Sequence, residues 1–317
     1  MTRFLVVRAL TLVLGWTLAS LIIFVTLRLL PGDVAQVIAG TQATPERIAE
    51  LRAQLGLDHP LPLQYLDWIG GVLQGDIGTS IVTGTPIGGE LLEKAQVTIP
   101  LTIGSLVFAL LLAFPFGVLA ALRHGRVSGR LISALSVVAA AVPVVWAGLL
   151  GIVLFSAWLG WLPAQGFPRD GWDDPAQALR SLVLPILTIG LIEGAILFRF
   201  VRSATLDALG AEHVRTARAQ GLTRVRALIS HGLPGVGLSI VSMLGIQVAG
   251  LLVGAVVVEQ LFSLPGLGRM LVSDVGNRDL VKVQSTLLVL TGVVLAIGAL
   301  VDVVHRAIDP RLRNATS

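Results

Sequence analysis

Five uncharged apolar runs, at about 9–27, 99–122, 131–159, 232–258 and 283–301, are each long enough to cross a bilayer core of about 30 Å, which takes roughly 20 helical residues. A sixth run, 181–198, carries one charge, Glu193. In lipid every backbone N–H and C=O must be satisfied within the chain, so a spanning segment is either a helix or a strand of a closed barrel. These runs are continuously apolar and do not alternate with polar residues as lumen-facing strands would, which leaves helices. The expected fold class is an all-α polytopic membrane protein with six transmembrane helices. The composition agrees: 54% of the 317 residues are hydrophobic and 13% charged, with a mean hydropathy of +0.85, values that place the chain outside soluble globular proteins.

Arg3 and Arg8 precede the first run in the manner of a signal peptide, but the run is too long and no small-x-small site follows before Arg28-Leu-Leu-Pro-Gly-Asp33. It is expected to be a retained anchor. With six spans both termini share a side, and the arginines indicate which. The termini and the segments 123–130 and 199–226 hold 14 of the 23 basic residues, among them Arg123, Arg126, Arg130, Arg199 and Arg202, whereas the opposite face holds most carboxylates. The positive-inside bias expects both termini and the 204–231 insert in the cytoplasm. The net charge of +4 is accounted for by topology and lipid head groups, without nucleic acid. The chain has no cysteine, which excludes disulfides and thiol chemistry.

Four regions follow from this layout: residues 1–30 with the first helix, an extracytoplasmic element over 31–97, a five-helix core over 98–307, and a tail over 308–317. The 31–97 stretch is too long for a structureless loop and is expected to fold. Within it Thr44 is a helix cap and Pro45 the first helical residue, with Ile48, Leu51 and Leu55 at helical spacing. Trp158 and Trp161 are expected as interface anchors, and the 35 glycines as sites of close helix packing.

One stretch fits neither lipid nor linker. Between Asp207 and Pro234, Val214, Ala217, Gly221, Val225 and Leu228 recur at helical spacing, and arginines 215, 218, 224 and 226 take the remaining positions. The pattern predicts one or two short amphipathic helices shaped to dock onto something. Catalytic signatures are missing elsewhere. The two lysines, Lys94 and Lys282, lie in no phosphate-binding loop, so this chain is not by itself a P-loop ATPase. The five histidines show no metal-ligand spacing, and there is no Gly-x-Ser-x-Gly elbow. Glu193, midway along a span, is either hydrogen-bonded to a neighbouring helix or lines a pathway for a cationic or amine-bearing solute, with Gln247 a weaker candidate of the same kind. An ion-coupled carrier working through Glu193 is therefore an open alternative. Glu259 at the outer end of the fifth span is open between a role at the outer face and that of an interfacial acid hydrogen-bonded to local backbone.

Arg215-Thr-Ala-Arg-Ala-Gln-Gly221, with Leu233-Pro234 following, resembles the EAA-x3-G-x9-I-x-LP loop of ABC-importer permeases, in the form found in the dipeptide, oligopeptide and nickel branch. Arg215 and Thr216 replace the Glu and first Ala of the general pattern, and His231 replaces the Ile. The likeness runs the length of the chain: Arg28-Leu-Leu-Pro-Gly-Asp33, Leu55-Gly-Leu-Asp58, Gly75-Asp76-x-Gly78-Thr-Ser80, Val256-Val-Val-Glu259, Pro265-Gly-Leu-Gly-Arg269, Arg278-Asp279 and Asp309-Pro-Arg311 occur in the family's order. The amino-terminal motifs resemble the first of the two paired permease types. The resemblance implies a non-catalytic subunit of a peptide importer that forms half the pathway beside a second permease. It further implies two cytoplasmic ATPase subunits that bind ATP and Mg, and an extracytoplasmic solute-binding protein. Glu212, Arg215, Ala217, Arg218, Gly221 and Leu222 would then form the coupling site, with Ala217 and Gly221 allowing close approach to a partner groove.

Overall fold

The computed structural model describes residues 2–29, 34–39, 43–54 and 56–308. Residues 30–33 of the first family motif, Leu55 and the tail from 309 onward, with Asp309-Pro-Arg311, lie outside the described residues. The described residues are nearly all helical. Their elements are α1 (Thr2–Leu29), α2 (Val34–Ala39), α3 (Pro45–Gln54), α4 (Leu61–Leu73), α5 (Ile87–Leu122), α6 (Val127–Ala141), α7 (Val144–Gly151), α8 (Pro175–Gly210), α9 (Glu212–Ala219), α10 (Arg224–Ala227), α11 (Leu233–Leu261), α12 (Leu267–Gly276) and α13 (Leu280–Ile308). Among the described residues five continuous helical stretches are long and apolar enough to cross a membrane: 6–29, 87–122, 175–210, 224–261 and 280–307. The expected third span is not straight. α6 and the stretch from Val144 to Trp158 meet at 100°. The cause is local: Pro143 has no N–H to donate and bars the helical conformation at Val142, which sits extended at φ −76° and ψ 124°.

The chain divides into two compact units, one of residues 97–268 with the end of α13 from 297, the other of residues 2–96 and 269–296. In the first, α8 is the central helix. Its start is capped by Asp174, whose carboxylate accepts from Ala176 N at 3.0 Å and Gln177 N at 3.1 Å, with Pro175 at the first helical position. Glycines let it approach α5 closely. A Cβ on Gly190 would stand 2.9 Å from the Ser105 carbonyl oxygen, and one on Gly194 would stand 3.2 Å from the Ala109 backbone. Small residues at such crossings are how helices pack in lipid, where no hydrophobic drive brings them together. α6, α7 and α11 also pack on α8.

In the second unit, residues 43–54 and 56–86 fold into short helices and a turn closed by the Thr79–Pro86 bridge. Thr44 caps α3, accepting from Arg47 N at 3.4 Å. The α5 helix begins at Ile87, well ahead of its apolar run, so its first turns carry charge. There Lys282 Nζ lies 2.8 Å from Glu90 and 3.3 Å from Asp274. Burial pushes the Asp274 carboxyl up, while the Lys282 ammonium beside it pulls the other way. Asp279 accepts from Ser80 Oγ at 2.5 Å and Lys282 N at 3.2 Å, and Ser285 donates to the Ile77 carbonyl at 2.6 Å.

Besides the Phe108 ring, Gly190 faces the Ser105 backbone oxygen, which cannot step aside as a side chain would. Gly190→Val is expected to destabilise the α5–α8 crossing by about 1–3 kcal/mol, the usual cost of overpacking. Gly298→Ala, which has open space, is expected to change little. Thermal unfolding of the two variants in detergent checks this, and equal melting would contradict it.

Candidate coupling site

The segment after α8 is held by a small core of its own. α8 ends at Gly210, Ala211 turns extended, and α9 starts at Glu212. Val214, Ala217 and Ala227 are buried against one another with Leu222 beside them. At the end of α9 the Leu222 N–H donates to the Ala217 carbonyl at 3.2 Å and the Gly221 N–H to Arg218 at 3.0 Å, with Gly221 at φ 96°. This is a Schellman ending, completed by the apolar contact of Leu222 with its core; it requires the left-handed conformation that glycine takes without a Cβ clash. Thr223 Oγ1 then accepts from Arg226 N at 3.3 Å and starts α10. The two short helices expected from the pattern are α9 and α10.

The helix resumes at once. α10 runs through a π turn, Leu228–Gly232, into α11, so that 224–261 is one helical stretch. Pro234 explains the turn: it cannot donate to the preceding turn and its ring crowds that carbonyl, and a widened turn relieves both. Gly232 sits where a Cβ would meet Leu228 at 2.7 Å and Ala208 at 3.4 Å.

The surface the segment presents is polar. Glu212, Arg215, Thr216, Arg218 and Gly221 are exposed, whereas Ala217 is 3% exposed and Leu222 half-buried. Ala217 therefore packs on its own chain, and the close approach read from its small side chain is made there. Gly221 has nothing within 4 Å of an added Cβ, so its face is open.

The two intramembrane candidates meet. Gln247 of α11 is buried and its Nε2 donates to a carboxylate oxygen of the half-buried Glu193 of α8. Gly250, near that carboxylate, leaves it room. Sequence reasoning left Glu259 open. It is fully buried, and its carboxylate accepts from Thr98 Oγ1 at 2.6 Å; that hydroxyl oxygen in turn accepts from Leu267 N at 2.8 Å. Gly266 and Gly268 lie flat on the carboxylate; a Cβ on Gly266 would fall 2.2 Å from it. The only sequence signal was the glycine spacing of Pro265-Gly-Leu-Gly-Arg269, because the partner Thr98 lies 161 residues away. Among the described residues no group of His, Asp and Glu could hold a metal ion.

Polar groups are buried between long apolar helices, and a segment with a polar face and a small core of its own joins α8 to α11. Residues 113–314 match the family described as binding-protein-dependent transport system inner membrane component, and residues 1–113 match the N-terminal model of such membrane components. The chain is 37% identical over 313 residues to the glutathione transport system permease protein GsiC of Salmonella typhimurium, covering 99% of each chain. It is 36% identical over 296 residues to the probable peptide ABC transporter permease protein y4tP of Sinorhizobium fredii, covering 93% of this chain and 94% of that one. Its fold is similar to a chain of the MetNI methionine ABC transporter, with a TM-score of 0.58 at 21% identity over 71% of this chain and 98% of that one. An ion-coupled carrier working alone finds no support among these relatives. The chain belongs to the family of inner-membrane permease subunits of binding-protein-dependent ABC importers, multi-pass and non-catalytic.

Proposed function

We propose that this permease forms half of a pathway for small peptides, glutathione-like tripeptides included, and receives the motion of a partner ATPase through α9 and its flanks. The observation that carries the coupling role is the segment 207–234: a polar face on a core that continues helically into α11. The peptide reading rests on the relatives' names, glutathione for one and peptide for the other. The partners are a second, related permease, two ATPase subunits and an extracytoplasmic binding protein. Residues 31–97 form the extracytoplasmic element, 98–307 the permease core with its coupling loop over 204–234, and the segment from 308 the cytoplasmic tail. Arg215 and Arg218 pair with acids on the ATPase, while Ala217 and Leu222 hold α9 in place from below. ATP-driven closure of the ATPases then moves α9 as a lever between two states of the pathway.

Gly221→Trp costs about 1–2 kcal/mol of local backbone strain, since the residue must keep a left-handed conformation, and puts a large ring on the open face. The variant is expected to reach the membrane in normal amount and to abolish ATP-driven uptake in the assembled transporter. Uptake at the unaltered rate would remove the coupling role.

On the same proposal Glu193, which accepts from Gln247, meets the ammonium of a passing peptide. Glu193→Gln is expected to slow uptake of peptides with a free amino terminus about tenfold, the loss of one charge-assisted hydrogen bond, and to spare N-acetylated ones. Equal slowing of both would leave the residue a packing role only.

Both termini and 204–234 lie in the cytoplasm on this reading, which the arginine distribution supports and which requires the bent α6–α7 stretch to cross as one span. Alkaline phosphatase fused after residue 170 is expected to be active and fused after residue 220 to be silent; the opposite pattern would invert the topology.

A further inference from the structure

A cleft of about 800 Å³ opens in the unit of residues 2–96 and 269–296, between the end of α1 and the helices α3 and α4. That volume is within the range of small-molecule sites, about 300–1,000 Å³. Its walls are ordered along α1. Leu21, Phe24 and Val25 line it first, with Leu66 of α4 opposite, and Arg28 follows in the last turn of the span. Asp58, in the turn between α3 and α4, also lines the cleft. The apolar part continues onto the exposed flank of α1, where Leu14 is 70% and Leu18 58% exposed.

The cleft is framed by rigid contacts. Tyr65 and Trp68 of α4 pack with Phe24, ring centroids 5.5 and 6.1 Å apart, and the Tyr65 hydroxyl meets Ser20 Oγ at 2.8 Å. Gln64 Nε2 donates to the Leu57 carbonyl at 3.0 Å and that of His59 at 2.8 Å, which pins the turn that carries Asp58. The Arg28 guanidinium lies over the Phe24 ring, 5.3 Å from its centroid, an arrangement that holds the charge at the cleft. Tyr and Trp, here packed beside the last turns of α1, are the residue types enriched at the bilayer interface.

We propose that this cleft holds one phospholipid with an amine-bearing zwitterionic head group, from the leaflet that meets the C-terminal end of α1. Depth and charge run in the order such a lipid needs. The acyl chain lies along Leu21, Val25 and Leu66, the phosphate accepts from Arg28, and the ammonium of the head group pairs with Asp58. Charge-assisted bonds to guanidinium and carboxylate are the strong ones at an interface. Arg52 also lines the cleft and is already engaged within the chain. A purely anionic lipid could use the arginines but would meet Asp58 unfavourably, and this separates the two classes.

The test uses the assembled transporter in nanodiscs of equal phosphatidylethanolamine and phosphatidylglycerol, followed by native mass spectrometry after detergent release. The wild type is expected to retain one phosphatidylethanolamine per copy of this chain, enriched about fivefold over phosphatidylglycerol, as one discriminating charge pair allows. Arg28→Ala is expected to lower retention about tenfold and Asp58→Asn to keep a lipid but lose the preference. Arg126→Ala, at a loop far along the chain, serves as the control and is expected to change nothing. Retention of both lipids at the bulk ratio, or unaltered retention in Arg28→Ala, overturns the proposal. Because the chain has no cysteine, Val25→Cys gives a single thiol. Its cross-linking to the second permease in the assembled transporter would show the cleft filled by protein and likewise overturn the proposal.

Discussion

The close approach of α5 to α8 is the constraint on which the core of this permease rests. Of the apolar windows, that of α8 is 61% buried and the next, in α5, 33%. A helix so enclosed cannot hold its neighbours by hydrophobic attraction, because lipid competes on equal terms for apolar surface. It holds them by contact distance. Gly104 against Ile186, Ser105 against Gly190 and Ala109 against Gly194 form a seam along one side of α8, where an added Cβ would stand 2.6, 2.9 and 3.2 Å from the facing atoms. Dispersion falls steeply with separation, so a seam of this kind is either closed or lost.

Polar groups inside such a core have few ways to be satisfied, and this chain uses neutral donors. Glu193 takes a hydrogen bond from Gln247 and Glu259 takes one from Thr98. Each bond ties helices that the apolar contacts already bring together: α8 to α11 in the first case, α5 to α11 in the second. The two carboxylates differ in what surrounds them. Glu193 is half-buried with space beside Gly250, whereas Glu259 is sealed by Gly266 and Gly268. A carboxylate with room beside it can meet a solute. One covered on its remaining side by backbone can only hold structure, which here means the start of α12, whose first N–H is bonded to Thr98.

Much of this was legible in the sequence. Five spans lie at their apolar runs, Thr44 caps its helix, and the segment 207–234 forms two short helices divided at Gly221. Composition and local stereochemistry decide such features within a few residues. The 100° break at Val142–Pro143 was also local, but in an uncharged run hydropathy outweighed the proline. Other features could not be read because their cause lies far along the chain. Small apolar residues at helical spacing predict a buried face without saying what covers it, so Ala217 read as a partner contact when Ala227 and Leu222 cover it. Glu259 lacked any local sign of Thr98, and Lys282 lacked any sign that Glu90 and Asp274 would meet it.

The stretch from Arg224 to Leu261 has 38 residues, about 57 Å at roughly 1.5 Å per residue. Its two ends are held by different chemistry. At one end Ala227 sits in an apolar cluster with Val214, Ala217 and Leu222, and such contacts have no preferred direction. At the other, Glu259 is fixed by a buried hydrogen bond whose loss would leave a carboxylate or a hydroxyl without that partner, at a cost of about 1–3 kcal/mol. A rod held softly at one end and firmly at the other pivots about the firm end. On the proposed coupling role, displacement of α9 by an ATPase would then swing the Gln247 level of α11 past Glu193 while the Thr98–Glu259–Leu267 contacts stay closed. The π turn at 228–232 fits the same division, since a widened turn is the weakest place to bend in an otherwise regular helix and lies just inside the soft end.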